Sequence, residues 1–110
     1  MMNLQIRAKE ITLTEDTKRH IAAAIEAFRK YSLDITRTNC VVSAEKKGVD
    51  VEFTIHVAHA EPIVINQHDD DLHTAIDLAV ERATKALRRL HDKVTDHKNV
   101  SLKDLETVDA

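Results

Sequence analysis

The sequence is poor in the residues that form disulfides, glycine-rich loops and aromatic surfaces. Its 110 residues include one glycine, one proline, one cysteine, one tyrosine, two phenylalanines and no tryptophan. One glycine cannot supply a nucleotide-binding loop, and so little glycine and proline excludes collagen-like and low-complexity chains. The single cysteine, Cys40, cannot form an intramolecular disulfide and favours a reducing compartment. So few aromatic residues do not support a sheet that stacks on RNA bases.

Long apolar runs are also missing, which argues against a membrane span. The N-terminus lacks the basic-then-apolar order of a signal peptide, so we expect a cytoplasmic protein. Hydrophobic residues make up 43% of the chain, as in a soluble domain with one modest core. No serine-centred or other catalytic motif is present, and we expect no enzymatic activity.

Charge is distributed unevenly along the chain, although the net charge is only -3. From Glu61 to Glu81 there are six acidic residues and no lysine or arginine. From Arg82 to Lys98 there are six basic residues and two acidic ones. A local basic patch can attract an anion whatever the total charge of the protein.

Hydrophobic periodicity predicts four strands and two helices. The first helix begins after Thr14, a good N-cap residue, and the second begins after Asp71. The apolar stripe of the second helix runs from Leu72 to Val94, and we expect the helix to end near His97. The expected elements are a strand at Leu4–Ala8, a helix at Thr14–Tyr31, strands at Ile35–Glu45, Val49–His59 and Ile63–Ile65, and the second helix. Residues 1–97 are thus predicted to form the domain, and residues 98–110 a flexible tail.

This β-α-β-β-β-α order predicts an α+β fold in two layers. The helical connection makes the first two strands parallel, whereas short turns make the last three an antiparallel meander. Because every element has one apolar face, both helices should pack on the same face of a four-stranded mixed sheet. The expected core comprises Phe28, Phe53, Ile55, Ile76, Ala83 and Leu87, with Cys40 also facing inward.

Basic residues of the second helix recur at spacings that place them beside its apolar stripe. Ordinarily such residues form a solvated face, and their aliphatic stems cover the edge of the core. The alternative is a row of phosphate-binding cations about 5–6 Å apart along the helix. Basic residues of the first helix could flank a shared groove if the helices lie side by side. The candidate RNA-binding residues are Arg82, Lys85, Arg88, Arg89 and Lys93, together with Lys18, Arg19, Arg29 and Lys30.

The seven histidines do not form a metal-binding pattern. His56 and His59 should lie on opposite faces of a strand, because their separation is odd. His68 and His73 flank three aspartates, but this segment lacks the glycine and distal glutamate of a calcium loop. We therefore expect no metal and no cofactor.

Several segments together resemble the short-form ribosome hibernation promoting factors, a family also described as sigma-54 modulation protein or ribosome-associated inhibitor. The similar segments are Leu4–Ile6, Ile11–Thr14, Val41–Val42, Glu45–Lys46 and, above all, Asp71–Asp77 followed by a long basic helix. His73 stands where the family usually has tyrosine, and Ala86 where glutamine is frequent. The resemblance implies a fold similar to double-stranded RNA-binding domains.

It also implies a monomer that binds the small ribosomal subunit and its RNA near the decoding centre. There it would block the messenger and transfer RNA sites, inhibit translation and preserve idle ribosomes, in some relatives together with a separate ribosome modulation factor. The family's basic positions in the second helix correspond to Arg82, Lys85, Arg89 and Lys93. Two alternatives stay open, namely a general double-stranded RNA-binding module and a protein-interaction or transcription-modulating domain.

Overall fold

Four strands and two helices follow one another in the order that the sequence predicts. The computed structural model describes the backbone of residues 3–107 and the side chains of residues 3–93. The elements are β1 (Asn3–Lys9), α1 (Glu15–Glu26) followed by a 3₁₀ turn (Ala27–Tyr31), β2 (Ile35–Glu45), β3 (Gly48–Val57), β4 (Ile63–Asp69) and α2 (Leu72–Thr107).

The strands form one sheet in the order β1-β2-β3-β4. β1 runs parallel to β2, and the other two pairs are antiparallel, as expected. Both helices cover the same face of the sheet, where Ile25 of α1 and Leu87 of α2 join the strand residues in one buried cluster. The other face of the sheet, called the open face below, carries no helix. The two-layer α+β prediction is confirmed.

The predicted core lies between the helices and the sheet. Its two phenylalanines, Phe28 and Phe53, meet edge to face with ring centroids 6.4 Å apart. Each of the six expected core residues is at most 1% exposed, and Cys40 is fully buried. Burying a large apolar side chain contributes about 1.5–3 kcal/mol, so this cluster is the main source of stability.

Both helices begin at the predicted capping residues. The hydroxyl of Thr14 accepts a hydrogen bond from the Thr17 amide at 3.1 Å. A carboxylate oxygen of Asp71 accepts from both the amide and the hydroxyl of Thr74, at 2.9 and 3.0 Å. These bonds hold the pKa of the Asp71 carboxyl below its usual range. The caps satisfy amides that would otherwise lack helical partners.

The first helix differs from its expected form in its last turn. The α-helix ends at Glu26, and a 3₁₀ turn continues to Tyr31. Residues three apart lie above one another in a 3₁₀ turn, so this geometry directs both Phe28 and Tyr31 towards the core. Ser32 then takes the left-handed conformation, with φ 56°, and ends the segment.

Two elements extend beyond their expected ends. β4 continues from Ile65 to Asp69 because Asn66–Asp69 pair with Val49–Glu52 of β3, although these polar residues carry no strand pattern. α2 continues to Thr107, so the prediction that it ends near His97 is wrong. The flexibility of residues 98–110 stays a prediction, and residues 108–110 lie outside the described residues. The side chain of Val94, at the end of the apolar stripe, also lies outside them.

α2 is long, with 36 residues, but amphipathic. Between residues 3 and 107, none of the helices has a stretch both long and apolar enough to cross a membrane.

The only glycine of the chain lies where two strands and the entry to α2 meet. Gly48 opens β3 after the Lys46–Lys47 turn, with φ +113°. A Cβ atom at this position would lie 2.4 Å from the carbonyl oxygen of Asp69. Both the backbone angle and the close approach therefore require glycine.

Candidate nucleic-acid interface

Four basic side chains lie along one flank of α2, beside its buried face. They are called the basic strip below and comprise Arg82, Lys85, Arg89 and Lys93. At 3.6 residues per turn, the other three lie within about 60° of Arg82 around the helix axis. All four side chains are exposed. The structure therefore keeps the candidate residues of this flank together on one accessible surface.

Arg82 fixes the position of this flank relative to the sheet. Its guanidinium donates to the backbone carbonyl of Asn66 in β4 and, at 3.3 Å, to the side-chain oxygen of Gln67. The basic strip thus runs along the β4 border of α2. Since Arg82 is already engaged, its guanidinium is less available to a ligand than those of its neighbours.

The remaining three cations of the strip are uncompensated. Among the described side chains, Lys85, Arg89 and Lys93 form no ion pair. Glu81 lies four residues before Lys85, a spacing that permits an ion pair, but none is formed. Their charge is therefore exposed to an approaching anion.

Arg88 belongs to a different flank of α2. It follows Asp77 by eleven residues, close to three full turns, and so lies on the same side of the helix. Asp77 contacts His20 of α1, with 2.8 Å between the His20 Nε2 and a carboxylate oxygen. Arg88 therefore lies on the α1 side of α2 and not in the basic strip.

The candidate residues of α1 are engaged locally. Lys18 pairs with Glu15 at 3.5 Å, Arg19 with Asp16 at 3.0 Å, and Arg29 with Glu26 at 3.0 Å, each three residues apart. The fourth, Lys30, lies over the Tyr31 ring, 5.4 Å from its centroid. Each cation of α1 thus has a neighbour that reduces or occupies its charge.

Lys18 of α1 and the basic strip of α2 do not face one another across the two helices. The helices meet through His20, whose ring also lies edge-on to His73, with centroids 6.2 Å apart. Lys18 lies about 160° around α1 from His20, and the basic strip lies on the opposite flank of α2 from Asp77. Histidine and acidic side chains occupy part of the facing flanks, and a groove shared by cations of both helices stays a prediction.

The described residues give little support for metal binding or for a reactive thiol. Across the described residues, no three His, Cys, Asp or Glu side chains are arranged to hold a metal ion. His68 pairs with Asp50 at 2.5 Å on the open face. Burial raises the pKa of the Cys40 thiol to about 12, which keeps it protonated and unreactive.

Sequence reasoning missed a second group of cations. Arg7 of β1 and Arg37 of β2 both line a groove on the open face of the sheet. The alternation of β1 could have placed Arg7 there. The alternation of β2 could also have placed Arg37 there, because Arg37 lies three residues before the inward-facing Cys40.

The fold and the strip together define a class of protein, namely a small α+β domain with a cationic helix flank that is largely free of ion pairs within residues 3–93. Its family is shown by comparison: the chain belongs to the family described as sigma 54 modulation protein / S30EA ribosomal protein, whose profile matches residues 4–95.

A relative of known name and two solved structures are also similar to this chain. The chain is 25% identical over 92 residues to the ribosome hibernation promoting factor of Azotobacter vinelandii, a match that covers 84% of this chain and 85% of that protein. The fold is similar to the N-terminal domain of Thermus thermophilus Protein Y, with a TM-score of 0.72, 20% identity, and coverage of 80% of this chain and 98% of that one. A ribosomal subunit interface protein from Coxiella burnetii has a TM-score of 0.72 at 13% identity, over 82% of this chain and 97% of that one.

Proposed function

We propose that this protein is a ribosome hibernation factor that binds ribosomal RNA of the small subunit through the basic strip of α2. Bound near the decoding centre, it occupies the channel of messenger and transfer RNA and holds the ribosome inactive. The protein acts in the cytoplasm as a binding factor and not as an enzyme. Family membership and the hibernation factor among its relatives support this function.

The observation that carries the proposal is that Lys85, Arg89 and Lys93 have no ion-pair partner among the side chains of residues 3–93. Salt-bridged lysines and arginines must break an existing pair before they bind a phosphate, whereas these three need not. Successive turns of α2 place them about 5–6 Å apart along the axis, a spacing at which they can contact successive phosphates of folded RNA.

The packing of α2 supports the same function. The helix is anchored by Ala79, Ala83 and Leu87, which are fully buried against the sheet. A rigid helix holds the cations at fixed spacing, so less conformational entropy is lost when they bind. Arg82 borders the same surface and positions it against β4, and a ligand phosphate would meet its free N–H groups at the edge of the strip.

Sucrose-gradient sedimentation of ribosomes at several salt concentrations tests the proposal. The wild-type protein should sediment with small subunits and with whole ribosomes, and should inhibit translation in a cell-free system. A variant with all four strip residues changed to alanine should stay at the top of the gradient and should not inhibit. Removing one phosphate-binding cation should reduce the log–log salt slope by about 0.9 on duplex RNA, or less on single strands.

Two controls separate this function from its alternatives. Exposed substitutions usually change stability by less than about 0.5 kcal/mol, so we expect the quadruple variant to fold. Circular dichroism checks that it does. Free duplex RNA serves as a competitor. A folded quadruple variant that sediments like the wild type would refute the strip as the binding surface. Equal affinity for free duplex and for ribosomes would instead indicate a general double-stranded RNA-binding module.

A further inference from the structure

The open face of the sheet has a polar groove between β1 and β2, on the side of the molecule away from the helices. The groove has a volume of about 290 Å³ and is lined by Gln5, Arg7, Arg37, Asn39, Cys40 and Val41. Gln5 and Asn39 are cross-strand partners at its centre. The two arginines lie on either side of this pair, Arg7 two residues after Gln5 and Arg37 two residues before Asn39.

Strand alternation places Arg37 on this face, and a β-bulge beside it redirects Ile35 into the core. The pairing of β2 with β3 shifts between Ile35 and Arg37, so that Thr36 is the extra residue. Without the shift, Ile35 and Arg37 would point to the same side of the sheet. With it, Ile35 is buried in the core and Arg37 is exposed on the open face. Bulges are frequent beside binding sites because they redirect a side chain in this way.

The charge of the groove is uncompensated. Among the described residues, neither Arg7 nor Arg37 forms an ion pair or a side-chain hydrogen bond. The two halves of the open face also differ in sign. The β1–β2 half carries these two arginines and Lys9, with its single acidic residue, Glu45, at the far end of β2. The β3–β4 half carries Asp50 and Glu52 and no lysine or arginine.

Asn39 adds an unsatisfied polar group. Its carboxamide oxygen is buried and has no hydrogen-bond partner among the described residues. A buried acceptor without a donor is unfavourable, and a ligand hydroxyl or N–H that entered the groove would relieve it after a small side-chain rotation. The ribose 2′-hydroxyl of RNA is such a donor, and its neighbouring phosphates fit two flanking arginines.

We propose that this groove binds the sugar-phosphate backbone of a single RNA strand, as a second nucleic-acid contact separate from the basic strip. Arg7 and Arg37 are four strand residues apart along the sheet, or about 13 Å. Each guanidinium contacts one phosphate, and the amides of Gln5 and Asn39 contact the sugars between them. An acidic protein segment would bring carboxylates in place of phosphates, and competition by an acidic peptide is the outcome of the test that would indicate it.

Fluorescence anisotropy with a labelled single-stranded RNA of twelve nucleotides tests the site. The parent protein is the quadruple alanine variant of the strip, so that the strip does not contribute to binding. Adding R7Q and R37Q should weaken binding at least tenfold and reduce the log–log salt slope by about 1.4, or about 0.7 for each arginine. N39D, which keeps the shape of the side chain but adds negative charge, should also weaken binding. Amide chemical-shift changes on adding RNA should concentrate in β1 and β2.

The matched control changes Lys46 and Lys47 to glutamine in the same parent, which removes equal charge from the exposed β2–β3 turn. This variant should bind RNA within twofold of the parent. Equally weakened binding in both double variants would mean that only net charge matters and would overturn the proposal. It would also be overturned if R7Q and R37Q had no effect, or if an acidic peptide displaced the RNA at equal concentration. Ribosome sedimentation is not part of this test. The proposal for the basic strip can therefore be refuted while the proposal for the groove is supported, or the other way round.

Discussion

The first helical segment (α1 with its 3₁₀ turn) and α2 both carry basic residues, but they differ in how much of that charge is available. On α1, Lys18, Arg19 and Arg29 each pair with a carboxylate three residues earlier. On α2, the exposed cations of the basic strip beyond Arg82 have no carboxylate partner among the described side chains. The difference teaches that the number of cations on a helix is a poor measure of its capacity to bind an anion.

These local pairs of α1 matter for charge more than for stability. Exposed ion pairs contribute only about 0–1 kcal/mol, because solvent screens them and ordering the side chains costs entropy. They nevertheless lower the net charge of the α1 surface. A ligand phosphate at α1 would compete with an existing carboxylate, whereas at α2 it would meet free cations.

The largest effect should come from the buried face of α2, which supports the strip. Leu87→Ala should reduce the free energy of unfolding by about 2–5 kcal/mol, because it leaves a cavity against the sheet. Urea denaturation checks this value. Lys85→Ala, two residues earlier on the exposed flank, should change it by less than about 0.5 kcal/mol. Equal costs for both variants would contradict the division of α2 into a core face and a binding flank.

The contrast between the helices is tested by two triple variants of equal charge. Changing Lys85, Arg89 and Lys93 to glutamine should reduce the log–log salt slope of ribosome binding by about 2.7, or 0.9 per phosphate. The same change at the three paired cations of α1 should reduce it by clearly less, because their charge is already partly neutralised. Salt-dependent co-sedimentation measures both slopes. Equal reductions in the two slopes would contradict the contrast between the helices and would indicate that α1 is part of the interface.

Much of the architecture was predictable because burial has a simple signature in sequence. The alternation of β3 and the stripe of α2 placed Phe53, Ile76 and Leu87 in the core, where they lie. The caps at Thr14 and Asp71 were predictable from the chemistry of amide acceptors. The end of β4 was not, since Asn66–Asp69 are polar and are held by pairing with β3 rather than by their own pattern.

The candidate site was predictable only in part, for reasons of geometry. Helical spacing correctly grouped the strip, but it could not show which flank of α2 faces α1. That depends on tertiary contacts such as those of Arg82 with β4 and of His20 with Asp77. Alternation places Arg7 and Arg37 on the open face, but it could not show the pairing of Gln5 with Asn39 that forms the groove between the two arginines.

A smaller effect should distinguish Arg82 from the rest of the strip. Arg82→Ala removes hydrogen bonds to Asn66 and Gln67, so it should lower the free energy of unfolding by about 0.5–1 kcal/mol more than Arg89→Ala, which removes an unpaired guanidinium. Arg82→Ala should in turn weaken ribosome binding less than Arg89→Ala does. The reverse order in either measurement would show that Arg82 serves the ligand rather than the sheet.

The smallest effect concerns a paired charge on the acidic half of the open face. The hydrogen bond from His68 to Asp50, 2.5 Å long, is the main reason that the pKa of His68 is raised above its ordinary value of 6.5. A raised pKa stabilises the folded protein fully below the unfolded pKa, and this contribution disappears as the pH rises through the folded value. Wild-type stability should therefore decline slightly across that range.

His68→Gln should remove this decline, and so should Asp50→Asn, which keeps the histidine but removes its partner. Thermal melting at a series of pH values from below 6.5 upward measures it. His56→Gln, on the same face of β3, is the matched control, because no carboxylate contacts His56 among the described side chains. If the decline persists in Asp50→Asn, the pair does not control it. Binding of RNA in the β1–β2 groove should be unchanged by His68→Gln and Asp50→Asn, because these two side chains lie on the other half of the open face.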